Sequence, residues 1–254
     1  MSTASTDELT PDAVAAHLTG RFGTPYLYER ECESTQLLLL RSGLPEGAVA
    51  VTEHQTGGRG RLGRKWEAPP GTALLTSVLL DAPADRPPSE LSLVAALAVA
   101  ETVERATNLA AQVKWPNDVM VNRRKVAGIL CELSDGVVVV GIGINVNQTR
   151  EELPAGTSTP AASLRALTGT TYGRAALLGP LLTALEGMVD AWRAGGLDAV
   201  YGDLGARNFL HGRRVRVDGT SGTGARILRD GRLEIETDAG ETLVVESGEV
   251  AFER

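Results

Sequence analysis

The sequence predicts an α+β fold: a mixed or antiparallel sheet carrying helices, followed by a small carboxy-terminal β-barrel. Three observations predict it. Helical apolar periodicity runs over 89–107 and 174–194, alternating with short strand-like runs. Between 113 and 146 four apolar runs follow one another with links of two or three residues. Links that short join hairpins, so this stretch reads as an antiparallel meander. From about Arg207 the chain becomes strands of four to six residues with a glycine at nearly every turn, the pattern of a small antiparallel barrel. Two domains follow, 1–206 and 207–254, the second too small to be very stable unless it packs on the first.

The elements come in order. Residues 7–19 read as an amphipathic helix with Thr10 and Pro11 at its start. Residues 26–30 form a strand. Ser34 caps a helix closed by Gly43. Residues 46–55 alternate into a strand that feeds a basic loop, ended by Pro69, Pro70 and Gly71. Residues 72–80 are a buried strand, and 82–88 a loop. The helix over 89–107 has Ser89 as its cap and Glu90 in its first turn. The meander consists of 113–115, 118–122, 125–133 and 137–146. Residues 150–171 are loop-like, 174–194 helical, and a short helix lies near 197–204.

Bulk properties narrow the class. At 43% hydrophobic and 22% charged, the 254-residue chain is that of a globular protein. The longest apolar runs, VVVV before Gly141 and LLLL before Arg41, fall far short of the ~20 residues a membrane helix needs. The amino terminus is polar and acidic, unlike a signal peptide, so a cytoplasmic protein is expected. A net charge of −7 argues against broad affinity for nucleic acid or membrane. Cys32 and Cys131 show no metal-ligand spacing and read as buried free thiols. Of 25 basic residues only three are lysines: Lys65, Lys114 and Lys125. A lysine is a compact point charge and an arginine a planar fork, so lysine in an arginine-rich chain marks places where the fork does not serve.

Against that acidic background GGRGRLGRKW, residues 57–66, concentrates positive charge in a glycine-rich loop. Residues 58–63 match G-x-G-x-x-G on paper, and Asp81 stands about 20 residues on. The match fails physically. The following RKWEAPPG is too short and too rich in proline for a crossover helix. No Lys-Ser or Lys-Thr follows Gly63, which excludes a P-loop. What remains are amides and the side chains of Arg59, Arg61 and Arg64, suited to a carboxylate or phosphate, with Trp66 able to stack on a flat ring. The plainer alternative is a solvated turn.

Three further segments carry chemistry. In KWPNDVMVNRRKVAG (114–128), Lys114 and Lys125 flank a turn containing Asn117 and Asp118. Asp118 could hold magnesium together with phosphate oxygens, though taken alone Asn-Asp after Pro is simply a turn. GIGINVN (141–147) ends a strand with two glycines, a mark of close approach, and Asn145 sits just beyond. ECESTQ (31–36) puts Ser34 and Thr35 at a helix N-terminus, where they could bind a polar group or merely cap.

In this order and spacing the four segments resemble the biotin protein ligases. ESTQ resembles their Ser-Thr-Asn segment, with Gln36 where Asn is usual. EHQTGGRGRLGRKW resembles their basic loop, and the two later segments their remaining signatures. AASL at 161–164 departs at its second position, where Thr is common. The resemblance covers residues 29–147, and the C-terminal module is similar to the family's SH3-like domain. It implies a class II synthetase-like catalytic domain. It implies a ligase that joins biotin and ATP, with Mg²⁺, into biotinyl-5′-adenylate and passes biotin to a lysine of a biotin carboxyl-carrier domain. Too few residues precede Ser34 for a helix-turn-helix, so the form expected is the monofunctional one, without specific nucleic-acid binding. On this resemblance biotin is held by Ser34, Thr35, Gln36, Gln55, Gly58, Arg59, Gly60, Arg61, Lys125 and Gly128. Arg61, Arg64, Trp66, Asn117, Asp118, Lys125 and Asn145 serve the nucleotide. Lys125 and Arg61 are the catalytic pair, and Asp118 the metal ligand. The alternatives are a non-catalytic binder of biotin or its adenylate and a lipoate ligase-like enzyme.

Overall fold

The computed structural model describes residues 7–82 and 86–253. Most of the polar amino-terminal stretch and the centre of the 82–88 loop lie outside them. The amino-terminal helix is shorter than the periodicity suggests: α1 (Pro11–Val14) gives way to a 3₁₀ turn over Ala15–His17. Then come β1 (Tyr26–Cys32), α2 (Thr35–Leu40), β2 (Val49–Gln55) and β3 (Ala73–Asp81). The long helix α3 (Glu90–Thr107) precedes β4 (Ala111–Lys114), β5 (Asp118–Val121), β6 (Arg124–Ser134) and β7 (Val137–Asn145). The stretch read as loop contains one short helix, α4 (Leu164–Thr168), where the Ser163 hydroxyl accepts from the Ala166 amide at 2.9 Å. Then α5 (Arg174–Gly195), a 3₁₀ turn and α6 (Tyr201–Ala206) lead out of this part of the chain.

Seven strands form one sheet in the order β1-β2-β3-β7-β6-β5-β4. β1 and β2 are parallel, and all other neighbours are antiparallel, the meander included. Strand alternation divides side chains between two faces. Val49, Val51, Val138, Val140, Ile142 and Ile144 point to one face and join α3 and α5 in the main core. Ala50, Leu79 and Val139 point to the other, where Leu39 of the short α2 covers them. That helix lies chiefly over the β2, β3 and β7 region of its face. The rest of the face is left for the site.

The carboxy-terminal strands are β8 (Arg214–Val217), β9 (Thr220–Ile227), β10 (Leu233–Thr237), β11 (Thr242–Val245) and β12 (Ala251–Phe252). They correct the expected barrel. The strands form an open sheet, β11-β10-β9-β8-β12, and among the described residues β11 and β12 do not pair. The SH3-like β-barrel expected for 207–254 is therefore absent. The reason lies in packing. Val215, Val217, Ile227, Leu233, Ile235 and Val245 belong to the same apolar cluster as the main core, and the Trp115 indole donates to the Gly231 carbonyl at 2.8 Å. A sheet that buries its inner face on a neighbour has no need to close on itself.

Candidate active site

Register builds the site. One row of paired residues crosses the open face from β4 to β3: Lys114, Asp118, Gly128, Gly143, Leu75. The next row runs Leu130, Gly141, Ser77. Charge thus stands at one end, a floor without side chains in the middle, and a hydroxyl beyond. A cavity lies over these rows, walled by the basic loop, the 154–161 segment and Gly248–Val250 of the carboxy-terminal module.

The basic loop folds back on itself. Gly60 N–H donates to the Arg64 carbonyl at 2.8 Å and Trp66 N–H to the Gly58 carbonyl at 3.0 Å. A side chain at Gly58 would put its Cβ 2.3 Å from the Trp66 oxygen, so this crossing requires glycine. No helix follows, which disposes of the dinucleotide reading. Leu62 stands at the tip with φ 56° and is 71% exposed. The returning strand lays the Trp66 indole on the two paired glycines. A Cβ at Gly143 would lie 2.6 Å from the indole and one at Gly128 3.0 Å from it. These glycines seat an aromatic ring of the protein itself.

Three cations share one carboxylate here, and a fourth, Arg64, stands beside them on Glu249. Lys125 Nζ is 2.6 Å from Asp118 and Lys114 Nζ 3.9 Å from it. Arg61 and Arg64 line the same cavity. Burial holds the Lys114 ammonium below its usual range; Asp118 opposes that shift, while Lys125, Arg64 and Arg61 add to it. Burial likewise lowers the Arg61 guanidinium, with Asp118 opposing. Such excess positive charge out of water calls for an anion. Magnesium fits Asp118 poorly. Its carboxylate is already engaged by the two lysines, and the described residues contain no group of three or more His, Cys, Asp or Glu able to hold a metal. Asp118 orients Lys125 instead.

The other end of the cavity is polar and neutral. Gln55 Oε1 accepts from the Thr35 amide at 2.9 Å and from its hydroxyl at 3.2 Å, and Thr35 Oγ1 lies 2.7 Å from Ser77 Oγ. Ser34 is buried and stands at the start of α2 but makes no side-chain cap bond, so it is not the ordinary cap. Gln36 is buried, donates to the Leu130 carbonyl at 3.0 Å, and lies over Gly141.

The structure brings Thr35, Gln36, Gln55, Arg59, Gly60, Arg61, Arg64, Trp66, Asn117, Asp118, Lys125, Gly128 and Asn145 to one cavity wall. Ser34 and Gly58 stand behind it. Asn145 is engaged on both sides of its amide, donating to the Ala162 carbonyl at 3.1 Å and accepting from Gln148 at 3.0 Å. It braces the 161–163 turn, as does Lys125, whose backbone bonds Pro160 and Ala162. Asn117 donates to the Ile129 carbonyl at 2.6 Å. The sequence reading missed Ser77, which only register reveals. It left Lys114 out of the site although its rarity pointed there. It also missed Glu249, whose carboxylate accepts from Arg64 and from Ser158, the latter at 2.8 Å, and so joins two cavity walls.

Residues 29–148 match the model of the biotin/lipoate A/B protein ligase family. The chain is 36% identical over 220 residues to the biotin–[acetyl-CoA-carboxylase] ligase of Mycobacterium tuberculosis, covering 82% of this chain and 80% of that protein. It is 36% identical over 174 residues to the bifunctional ligase/repressor BirA of Bacillus subtilis, covering 65% of this chain but only 53% of BirA, about half its length. Among solved structures, the biotin protein ligase of Aquifex aeolicus in complex with biotin and ATP superposes with a TM-score of 0.82 at 32% identity, covering 90% of this chain and 98% of that one. With the family's signature segments gathered around one cavity, the chain belongs to the biotin/lipoate A/B protein ligase family.

Proposed function

We propose that this protein is an ATP-dependent ligase that activates biotin as biotinyl-5′-AMP, releasing pyrophosphate, and transfers biotin to a lysine of a biotin carboxyl-carrier domain. One observation carries the reading: three cations, Lys114, Lys125 and Arg61, around a single carboxylate at one end of the cavity, and a neutral polar slot at the other. The first step brings a carboxylate against a triphosphate. Like charges ~4 Å apart repel by roughly 4 kcal/mol at an effective dielectric of 20. Lys125, Lys114, Arg61, Arg59 and Arg64 offset that repulsion, with Lys125 at the point where the reacting carboxylate and α-phosphate meet. Asp118, 2.6 Å away, fixes the Lys125 ammonium in place. The neutral slot of Ser34, Thr35 and Gln55 suits the donors and acceptor of a ureido ring, with Gln36 beside it. Trp66, Asn117 and Asn145 serve the nucleotide side.

The carboxylate attacks the α-phosphorus, the bond to the β-phosphate oxygen breaks, and pyrophosphate leaves. An acceptor amine then attacks the acyl carbon, forms an amide and expels AMP. The adenylate must be kept from water, and the basic loop and the 154–161 segment supply the cover. The same reading divides the chain into a catalytic unit, 1–206, and a C-terminal unit, 207–254, supported by two sheets that share no strand. The test is ATP–pyrophosphate exchange with biotin, with lipoate and with neither. Exchange that requires biotin is expected. Exchange that requires lipoate, or none with either acid, overturns the proposal.

A further inference from the structure

The geometry points to Glu132 as a positioning residue for Arg59: it holds the basic loop across the cavity and leaves the guanidinium Nε–H free for the carboxylate to be activated. The inference rests on the ligase reading for the identity of that carboxylate, and on the structure alone for the hold on the loop.

Glu132 lies on β6, on the same face as Gly128 and Leu130. Its Oε2 accepts from Arg59 Nη2 at 2.6 Å, across 73 positions of sequence. Arg59 lines both the main cavity and a second one against the loop, whereas Glu132 lines only the second. The carboxylate therefore grips the fork without itself lining the main cavity. Within the fork, Arg59 Nε is buried and, among the described residues, has no acceptor. A buried donor on a charged group is rarely left unmade, and here a ligand oxygen completes it. The arrangement is economical in its geometry. One amino group of the planar fork is fixed, which fixes the plane, which aims the Nε–H. Glu249 holds the second half of the loop through Arg64, so Glu132 is the corresponding tie for the first half.

The test uses the full chain with Glu132→Ala, Glu132→Gln, Arg59→Ala and the Arg59→Ala/Glu132→Ala double. In the ligand-free protein, trypsin should cut the loop of Glu132→Ala several-fold faster than wild type, with an unchanged melting temperature. In exchange assays Glu132→Ala should raise KM for biotin about tenfold while KM for ATP stays constant, since only the carboxylate contact is misaimed. Glu132→Gln keeps an oxygen acceptor and should recover part of the loss. In the double variant the effect of Glu132→Ala should vanish, because a positioning residue has nothing left to position. Unchanged loop cleavage in Glu132→Ala, an unchanged biotin KM, or additive losses in the double variant overturn the inference. If wild type shows no biotin-dependent exchange, the ligase reading falls, and the cleavage rates still decide whether Glu132 holds the loop.

Discussion

Two clusters of buried charge sit on opposite faces of the seven-stranded sheet, and they are built on opposite plans. On the helix face, Arg174 is 1% exposed and every direction of its fork is answered. Nε donates to Asp7 at 2.9 Å, Nη1 reaches Glu53 at 2.6 Å and the Ala73 carbonyl at 3.3 Å, and Nη2 donates to the Asp7 carbonyl. Two carboxylates attend one cation. On the open face, Lys114, Lys125 and Arg61 crowd about Asp118, while Arg64 at the rim has its own carboxylate in Glu249. The first cluster is closed on itself and pins the amino-terminal segment and α5 to β2. The second is left short of negative charge. A buried cation with its anions supplied by the fold is architecture, and one without them is a binding site.

The comparison can be broken from either side. The largest effect is expected at the matched cluster. Arg174→Met strands Asp7 and Glu53 without their cation and should cost about 3–5 kcal/mol of stability, read by urea denaturation. A loss below about 1 kcal/mol would show that the carboxylates find water and that the cluster is not architectural. Next comes Lys125→Arg in the unmatched cluster. A guanidinium is too wide for a point where two oxygens converge, and misplacement there costs about 100-fold. Biotin binding should largely survive, while single-turnover formation of biotinyl-adenylate falls by that factor. A near-normal rate would mean that only the charge matters.

Lys114→Met sharpens the contrast, since it should stabilise the protein while weakening ATP use. The native state holds the Lys114 ammonium below its unfolded value, so it sheds its proton first. The penalty is therefore present in full at neutral pH and relieved as pH climbs from the native value toward ~10.4, the unfolded one. Removing the ammonium should add on the order of 1 kcal/mol at pH 7 and less at pH 10, followed by thermal melts at both. A destabilised variant would mean that Lys114 balances Asp118 rather than crowding its fellow cations. The smallest effect is expected of Lys65→Arg. Lys65 is exposed beside the loop tip, and the variant should stay within about 0.5 kcal/mol of wild type in stability. Its adenylation rate should be little changed, and a marked fall would put Lys65 among the cavity's working cations.

Much of this was legible in one dimension because it is local. Alternation over 125–146 fixes which residues share a face, and the hairpin link fixes antiparallel pairing, so the pairing of Gly128 with Gly143 is nearly written out, whereas Asp118 reaches Gly128 only through a bulge at Val119/Met120 that the pattern does not show. The basic loop, too, announces its charge. What could not be read depends on distant partners. Ser77 matters because β3 pairs with β7 and α2 lies above it. Glu132 matters through a residue 73 positions away. Arg174 looks like any helix-opening arginine until Asp7 and Glu53 surround it. The barrel failed for the same reason: strand lengths and glycine turns describe each strand, but whether β11 meets β12 depends on what the sheet packs against.

The seating of Trp66 on the paired glycines also makes the protein its own spectrometer. The chain has three tryptophans. Trp115 and Trp192 are 2% and 0% exposed in the core, so water reaches their rings only when the molecule unfolds. Trp66 alone rides on the basic loop, with the Lys125 ammonium 5.7 Å from its ring centre. When the loop lifts, that indole leaves its glycine seat for water and its emission moves to the red. When an anion draws Lys125 aside, a nearby positive charge is withdrawn from the same ring. Opening, closing and charge neutralisation at the cavity can thus be followed in real time by colour alone, with no label attached.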